Sequence, residues 1–106
     1  MEVFDVATLR ERMPPAPAQY LEFLRVPATS LGMYRIEAGG ADPQRPHRED
    51  EVYVVTHGKA TIRVEGETQP VGPGTVVYVP AHAEHRFEDV EEDLVTLVLF
   101  APAETG

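Results

Sequence analysis

The chain contains no cysteine. Disulfides and thiolate metal sites are therefore excluded, and a reducing compartment is compatible with the composition. Any metal must be held by histidine, carboxylate, amide or water. No apolar run approaches the roughly 20 residues that span a bilayer. Cationic side chains are scarce: 9 Lys+Arg stand against 18 Asp+Glu, for a net charge of −9. That balance argues against nucleic acid or an anionic membrane as partner. The N-terminus, MEVFDVATLRERMPP, lacks a basic segment followed by an apolar one, so no secretory signal is read there. A soluble cytoplasmic protein is the expectation. There is no internal repeat, low-complexity tract or domain linker. Nothing marks a Ser-His-Asp or cysteine nucleophile, and no glycine loop is built to cradle phosphate.

Helix-forming sequence is scarce as well. Ten prolines and eight glycines in 106 residues impose many breaks. One short helix is expected, capped by Asp5, running through Arg12 and stopped by Pro14-Pro15. After the PPAPA break the texture becomes β-like. Strands are expected at Gln19–Val26, Ser30–Ala38, Glu51–Thr56, Ala60–Glu65, Thr75–Val79 and Leu94–Phe100, with shorter ones around Val71 and Phe87. His57-Gly58-Lys59 reads as a tight turn, and so does Gly66-Glu67-Thr68. The acidic tract Glu88–Asp93 reads as a solvated loop. About eight short strands predict one all-β domain, an antiparallel sandwich or barrel, with frayed ends at 1–2 and 103–106.

The chemistry-bearing residues gather in two segments. The first, RPHREDEVYVVTHG, runs from Arg45 to Gly58. On a straight strand Arg45, His47, Glu49, Glu51 and Tyr53 share one face. His47 and Glu51 would then stand roughly 13 Å apart along the strand. They reach one ion only if the chain bends between them, which Pro46 and the polar REDE run permit. The second segment, GTVVYVPAHAEH, places His82 and His85 just beyond a strand and a proline stop. Spacing alone leaves two readings open: a His47/Glu51/His85 metal site, or loop residues in water.

The two segments resemble the paired motifs of the cupin family. Gly39, His47, Glu51 and Gly58 match the first motif at the family's spacing, with Arg45 where the family carries its first histidine. Gly74, Pro80 and His85 match the second, with His82 in a glycine position and Asp89 in an asparagine position. The resemblance covers about Leu31 to Pro102. It implies a jelly-roll barrel over 31–102, with residues 1–30 supplying the helix and an edge strand packed on it.

It also implies a divalent transition metal (Fe, Zn, Mn, Ni or Cu) held by His47, Glu51 and His85. Arg45 has no lone pair to give. The remaining two imidazoles and one carboxylate form the donor set of a facial triad with open positions. Gln44 or Glu49 stands as a candidate fourth ligand. Arg45, Glu49, Tyr53 and His82 are candidate pocket residues, with Arg45 suited to an anionic substrate. The expected function is metal-assisted chemistry on a small organic molecule, such as a dioxygenase or isomerase reaction. The alternative is a non-catalytic sensor whose metal anchors a small ligand. A homodimer is expected, because the Gln19–Val26 strand offers an edge that needs covering.

Overall fold

Segments rich in valine, isoleucine, threonine and aromatic residues pair antiparallel in the computed structural model, which describes residues 1–15 and 19–105. The last three residues of the PPAPA break lie outside the described residues, as does Gly106. The elements are α1 (Val6–Glu11), β1 (Tyr20–Val26), β2 (Thr29–Ile36), β3 (Asp50–Val64), β4 (Glu67–Val71), β5 (Val76–Val79) and β6 (His85–Ala101). The strands lie in the order β1-β2-β6-β3-β4. The far edge of β3 is shared, β5 covering Glu51–Val54 and β4 covering Ala60–Val64. All pairings are antiparallel, and the architecture is the expected jelly-roll type with one short helix.

Two expectations are corrected. His57-Gly58-Lys59 is not a hairpin turn, and Glu88–Asp93 is not a loop. Both lie inside continuous strands, β3 of 15 residues and β6 of 17. The eight expected strands become six because two pairs are fused.

The reason lies in side-chain parity. In β3 the buried residues are Glu51, Tyr53 and Val55, then Ala60 and Ile62. In β6 the inward ones are His85 and Phe87, then Val90, Leu94, Thr96, Val98 and Phe100, with Val95 buried on the outer face. The inward set changes from odd to even in each strand. Three register shifts between Val55 and Thr61 produce the change, and each extra residue flips the faces beyond it. Asp89 contributes a positive φ of 49° on the facing strand. Gly58 is required at the bend: its φ is 91°, and a Cβ there would fall on the Asp93 carbonyl oxygen.

The inner faces enclose one core that includes Tyr53, Val55, Ile62, Val79, Phe87, Leu94, Val98 and Phe100. Each such side chain contributes roughly 1.5–3 kcal/mol on burial. A second cluster lies on the outer face of the sheet, where Leu9 of α1 meets Met33 and Val95. Asp5 caps that helix through backbone bonds from Ala7 and Thr8, and Arg12 closes it. No helix among the described residues is long and apolar enough to cross a membrane.

Candidate metal centre

Asp42 organises the loop that delivers His47. One carboxylate oxygen accepts the Tyr34 hydroxyl at 2.7 Å and the Gln44 amide at 3.1 Å. The other accepts Gln44 Nε2 at 3.0 Å and the Phe87 amide at 2.9 Å. Four donors from three parts of the chain thus fix the loop against the barrel. The chain then bends at Arg48 and Glu49 before β3 begins at Asp50. This is the departure from a straight strand that lets His47 fold back toward Glu51. The returning loop is tied down from the other side. The His82 amide donates to His47 O at 2.7 Å, and the Ala81 amide to Asp50 Oδ1 at 2.9 Å.

Glu51 sits between Val79 of β5 and Phe100 of β6, and its side chain is 1% exposed. His85 opens β6, also with a side chain 1% exposed. Ligand atoms of His47, Glu51 and His85 all lie within 4.8 Å of one another. His47 packs edge-on against Phe100, its ring centre 5.5 Å from that of His85.

Polar satisfaction at this point is incomplete. His47 Nε2, His85 Nε2 and both Glu51 oxygens are buried without a hydrogen-bond partner among the described residues. His85 Nε2 stands 3.0 Å from Glu51 Oε1, close enough but not aligned as a hydrogen bond. Meanwhile His85 Nδ1 lies 2.9 Å from Ala83 O. A carbonyl only accepts, so Nδ1 carries a proton, and in the neutral ring Nε2 then turns a lone pair toward the carboxylate. Ligand atoms gathered from three side chains with no hydrogen-bond partner among the described residues suit a cation between them. Two ligands bound at about 2.1 Å and set at a right angle stand about 3.0 Å apart. The His85–Glu51 pair has that spacing, and the donor set fits a divalent transition ion.

Without an ion, electrostatics favour charge on His85 beside the Glu51 carboxylate. Burial pulls the His85 pKa down, but the Glu51 contact, the Ala83 carbonyl and the Glu51 charge together raise it. Tyr53 is held protonated, its pKa driven far up by burial and then by Glu51. Its hydroxyl donates to Gln44 Oε1 at 3.0 Å. Tyr53 is therefore a fully buried wall behind the cluster, packed edge-on against Phe87.

Two cavities flank the cluster. One of about 400 Å³ reaches His85 and is lined by Gln44, Arg45, Arg63, Glu84 and Arg86, among others. The other, about 210 Å³, reaches His47 between Tyr20, Tyr34, Val98, Phe100 and Glu104. Arg45 is thus one of the residues lining the larger cavity. Neither candidate fourth ligand joins the cluster. Gln44 has its oxygen committed to Tyr53 and its amide nitrogen to Asp42. Glu49 is buried, but its Oε2 accepts the Thr105 hydroxyl at 2.8 Å and lines neither cavity. His82 is exposed and works through its backbone amide. His57 lies within β3 and contacts Arg10 on the outside.

Two residues escaped the sequence reading. Asp42 carried no motif position and sat in a turn-rich link. Glu104 fell in a tail expected to fray, yet its Oε2 lies 3.4 Å from His47 Nδ1. Burial raises the Glu104 pKa; His47 opposes the rise, and Glu49, Glu51 and Glu22 add to it.

The fold agrees with that of similar proteins. A protein of Streptomyces coelicolor, described as uncharacterised, is 44% identical over 105 residues, covering 99% of this chain and 100% of its own. A double-stranded β-helix protein from Klebsiella pneumoniae superposes with a TM-score of 0.80 at 14% identity, over 100% of this chain and 94% of its own. The TT1209 protein from Thermus thermophilus gives 0.74 at 24% identity, over 97% and 99%. At such identities the two structures speak for the fold alone. The family profile described as the cupin domain matches residues 32–100, and the chain belongs to the cupin family.

Proposed function

We propose that His47, Glu51 and His85 hold one divalent transition ion, and that the protein uses it in chemistry on a small organic molecule. The observation that carries this reading is the set of buried, partnerless ligand atoms converging from three side chains. Buried polar atoms call for a partner, and one cation meets all of these at once. A bound ion there supplies Lewis-acid polarisation of a substrate oxygen, or oxygen chemistry if it is iron. Three protein ligands leave coordination positions open, and cavities lie on both sides for a substrate to enter.

The chain's own groups do the rest. Val98 and Phe100 exclude water from the smaller cavity. Tyr53 holds Gln44 in place between the two cavities. Arg45, Arg63 and Arg86 border the larger one, in a protein whose net charge is −9. Arg63 and Arg86 share the single carboxylate of Glu88, whereas Arg45 makes no ion pair among the described residues. That arrangement suits a small acid, with Arg45 as its docking fork. The fold itself selects no reaction.

The decisive experiment measures metal in protein purified without an affinity tag, then oxygen uptake and turnover over a panel of small acids. Stoichiometric metal with turnover is the expected result. Absence of metal under metal-replete expression refutes the reading. Metal without turnover over a broad panel leaves the non-catalytic, ligand-anchoring role. We further propose a cytoplasmic homodimer paired through the edge strand β1, where Glu22, Arg25 and Val26 are exposed. Light scattering at the one-chain mass of 11.7 kDa would refute the dimer.

A further inference from the structure

The two histidines of the cluster are oriented by different means. His85 is set locally, its Nδ1 bonding a carbonyl two residues away. His47 has no local partner. Among the described residues its Nδ1 makes one polar contact, with Glu104 Oε2 at 3.4 Å, within ion-pair reach but not aligned as a hydrogen bond. Glu104 lies at the opposite end of the chain, beyond the last strand.

The tail that carries Glu104 is anchored at three consecutive residues. The Ala103 amide donates to Pro27 O at 3.4 Å. The Glu104 amide donates to Ser30 Oγ at 3.0 Å, and Ser30 is fully buried. The Thr105 hydroxyl donates to buried Glu49 at 2.8 Å. These partners belong to the β1–β2 turn, to β2 and to the bend after His47. The tail therefore crosses the barrel mouth as a strap. It brings one carboxylate against the outward nitrogen of His47 and forms part of the smaller cavity wall.

A neutral imidazole offers one N–H and one lone pair, and whichever nitrogen finds an acceptor keeps the proton. We propose that Glu104 is a positioning residue of the metal centre. Its carboxylate accepts the His47 Nδ1–H, so that the Nε2 lone pair is turned onto the point shared with Glu51 and His85. Residues 103–105 form the strap that keeps it there. The tautomer control rests on the proximity of Glu104 Oε2 to His47 Nδ1. Its purpose rests on the metal reading above. Outer carboxylates on metal-binding histidines typically raise metal affinity 10–100-fold.

The test has a metal-free arm and a metal arm. Imidazole ¹⁵N shifts of His47 are recorded in chelator-stripped protein at a pH where the ring is neutral. The wild type is expected in the Nδ1–H form. Glu104→Ala is expected to move His47 toward the Nε2–H form. Glu104→Gln, whose amide oxygen still accepts, is expected to retain Nδ1–H. In the second arm, chelator competition with zinc is expected to show roughly 10–100-fold weaker binding for Glu104→Ala, with Glu104→Gln in between. An unchanged tautomer in Glu104→Ala overturns the proposal. A changed tautomer with zinc affinity within twofold of wild type overturns the positioning role. If the wild type binds no metal but the tautomer switches as expected, the metal reading falls and the control of His47 by Glu104 stands.

Discussion

Replacing Glu51 with glutamine should move stability in opposite directions with and without metal. Glu51 is 1% exposed, and neither oxygen has an aligned hydrogen-bond partner. A buried group left in that state costs on the order of 1–3 kcal/mol, and more when charged. Glutamine keeps the volume, removes the charge and offers an amide N–H to the His85 Nε2 lone pair. The metal-free variant should therefore be more stable than wild type by roughly 1–3 kcal/mol. For a domain near this length each kcal/mol moves the melting temperature by roughly 4–8 °C, so a rise of at least about 4 °C is expected. The metal-bound comparison runs the other way. An ion at 100 times its dissociation constant stabilises the wild type by about 2.7 kcal/mol, or roughly 10–20 °C. The variant loses an anionic ligand and most of that gain. Circular dichroism melts in chelator and in zinc, cobalt or manganese measure both effects. A Glu51→Gln melt below wild type in chelator, or one that keeps the full metal-induced rise, refutes this account.

Three further outcomes are expected. Gly58→Ala should lose roughly 3 kcal/mol or more, because a left-handed backbone and a Cβ on the Asp93 carbonyl oxygen add together; urea unfolding measures it, and a loss below about 1 kcal/mol contradicts the bulge account. Asp42→Ala should lose on the order of 3 kcal/mol by stranding the Tyr34 hydroxyl and the Phe87 amide; Asp42→Asn, which keeps one accepting oxygen, should recover part of it in the same assay. The carboxyl of Glu88 is held below the usual glutamate range by its hydrogen bonds to Arg63, against the opposing effect of burial. Its folded pKa is depressed, so its contribution is present above the unfolded pKa and disappears as pH falls through the folded one. Wild type and Glu88→Gln should accordingly converge in stability as the solution is acidified below the usual glutamate range, and a gap that persists in acid contradicts the pairing.

The candidate site was legible through the likeness of two segments to the paired cupin motifs, which singles out His47, Glu51 and His85. What spacing could not decide was whether they meet. A straight strand would have kept His47 and Glu51 apart; the bend at Arg48–Glu49, stabilised by backbone bonds to the 81–82 loop, brings them together. Fourth-ligand candidates are a matter of commitments elsewhere: Gln44 is taken by Asp42 and Tyr53, and Glu49 by Thr105.

The sequence by itself determined the strand-rich class and the short capped helix, because alternation and capping are properties of near neighbours. Tertiary structure alone decided that 57–59 and 88–93 continue their strands, since a bulge inverts side-chain parity and so imitates a turn in one dimension. It alone also decided the roles of Asp42 and Glu104. Each acts through contacts with residues far along the chain, and such contacts leave no local pattern to read.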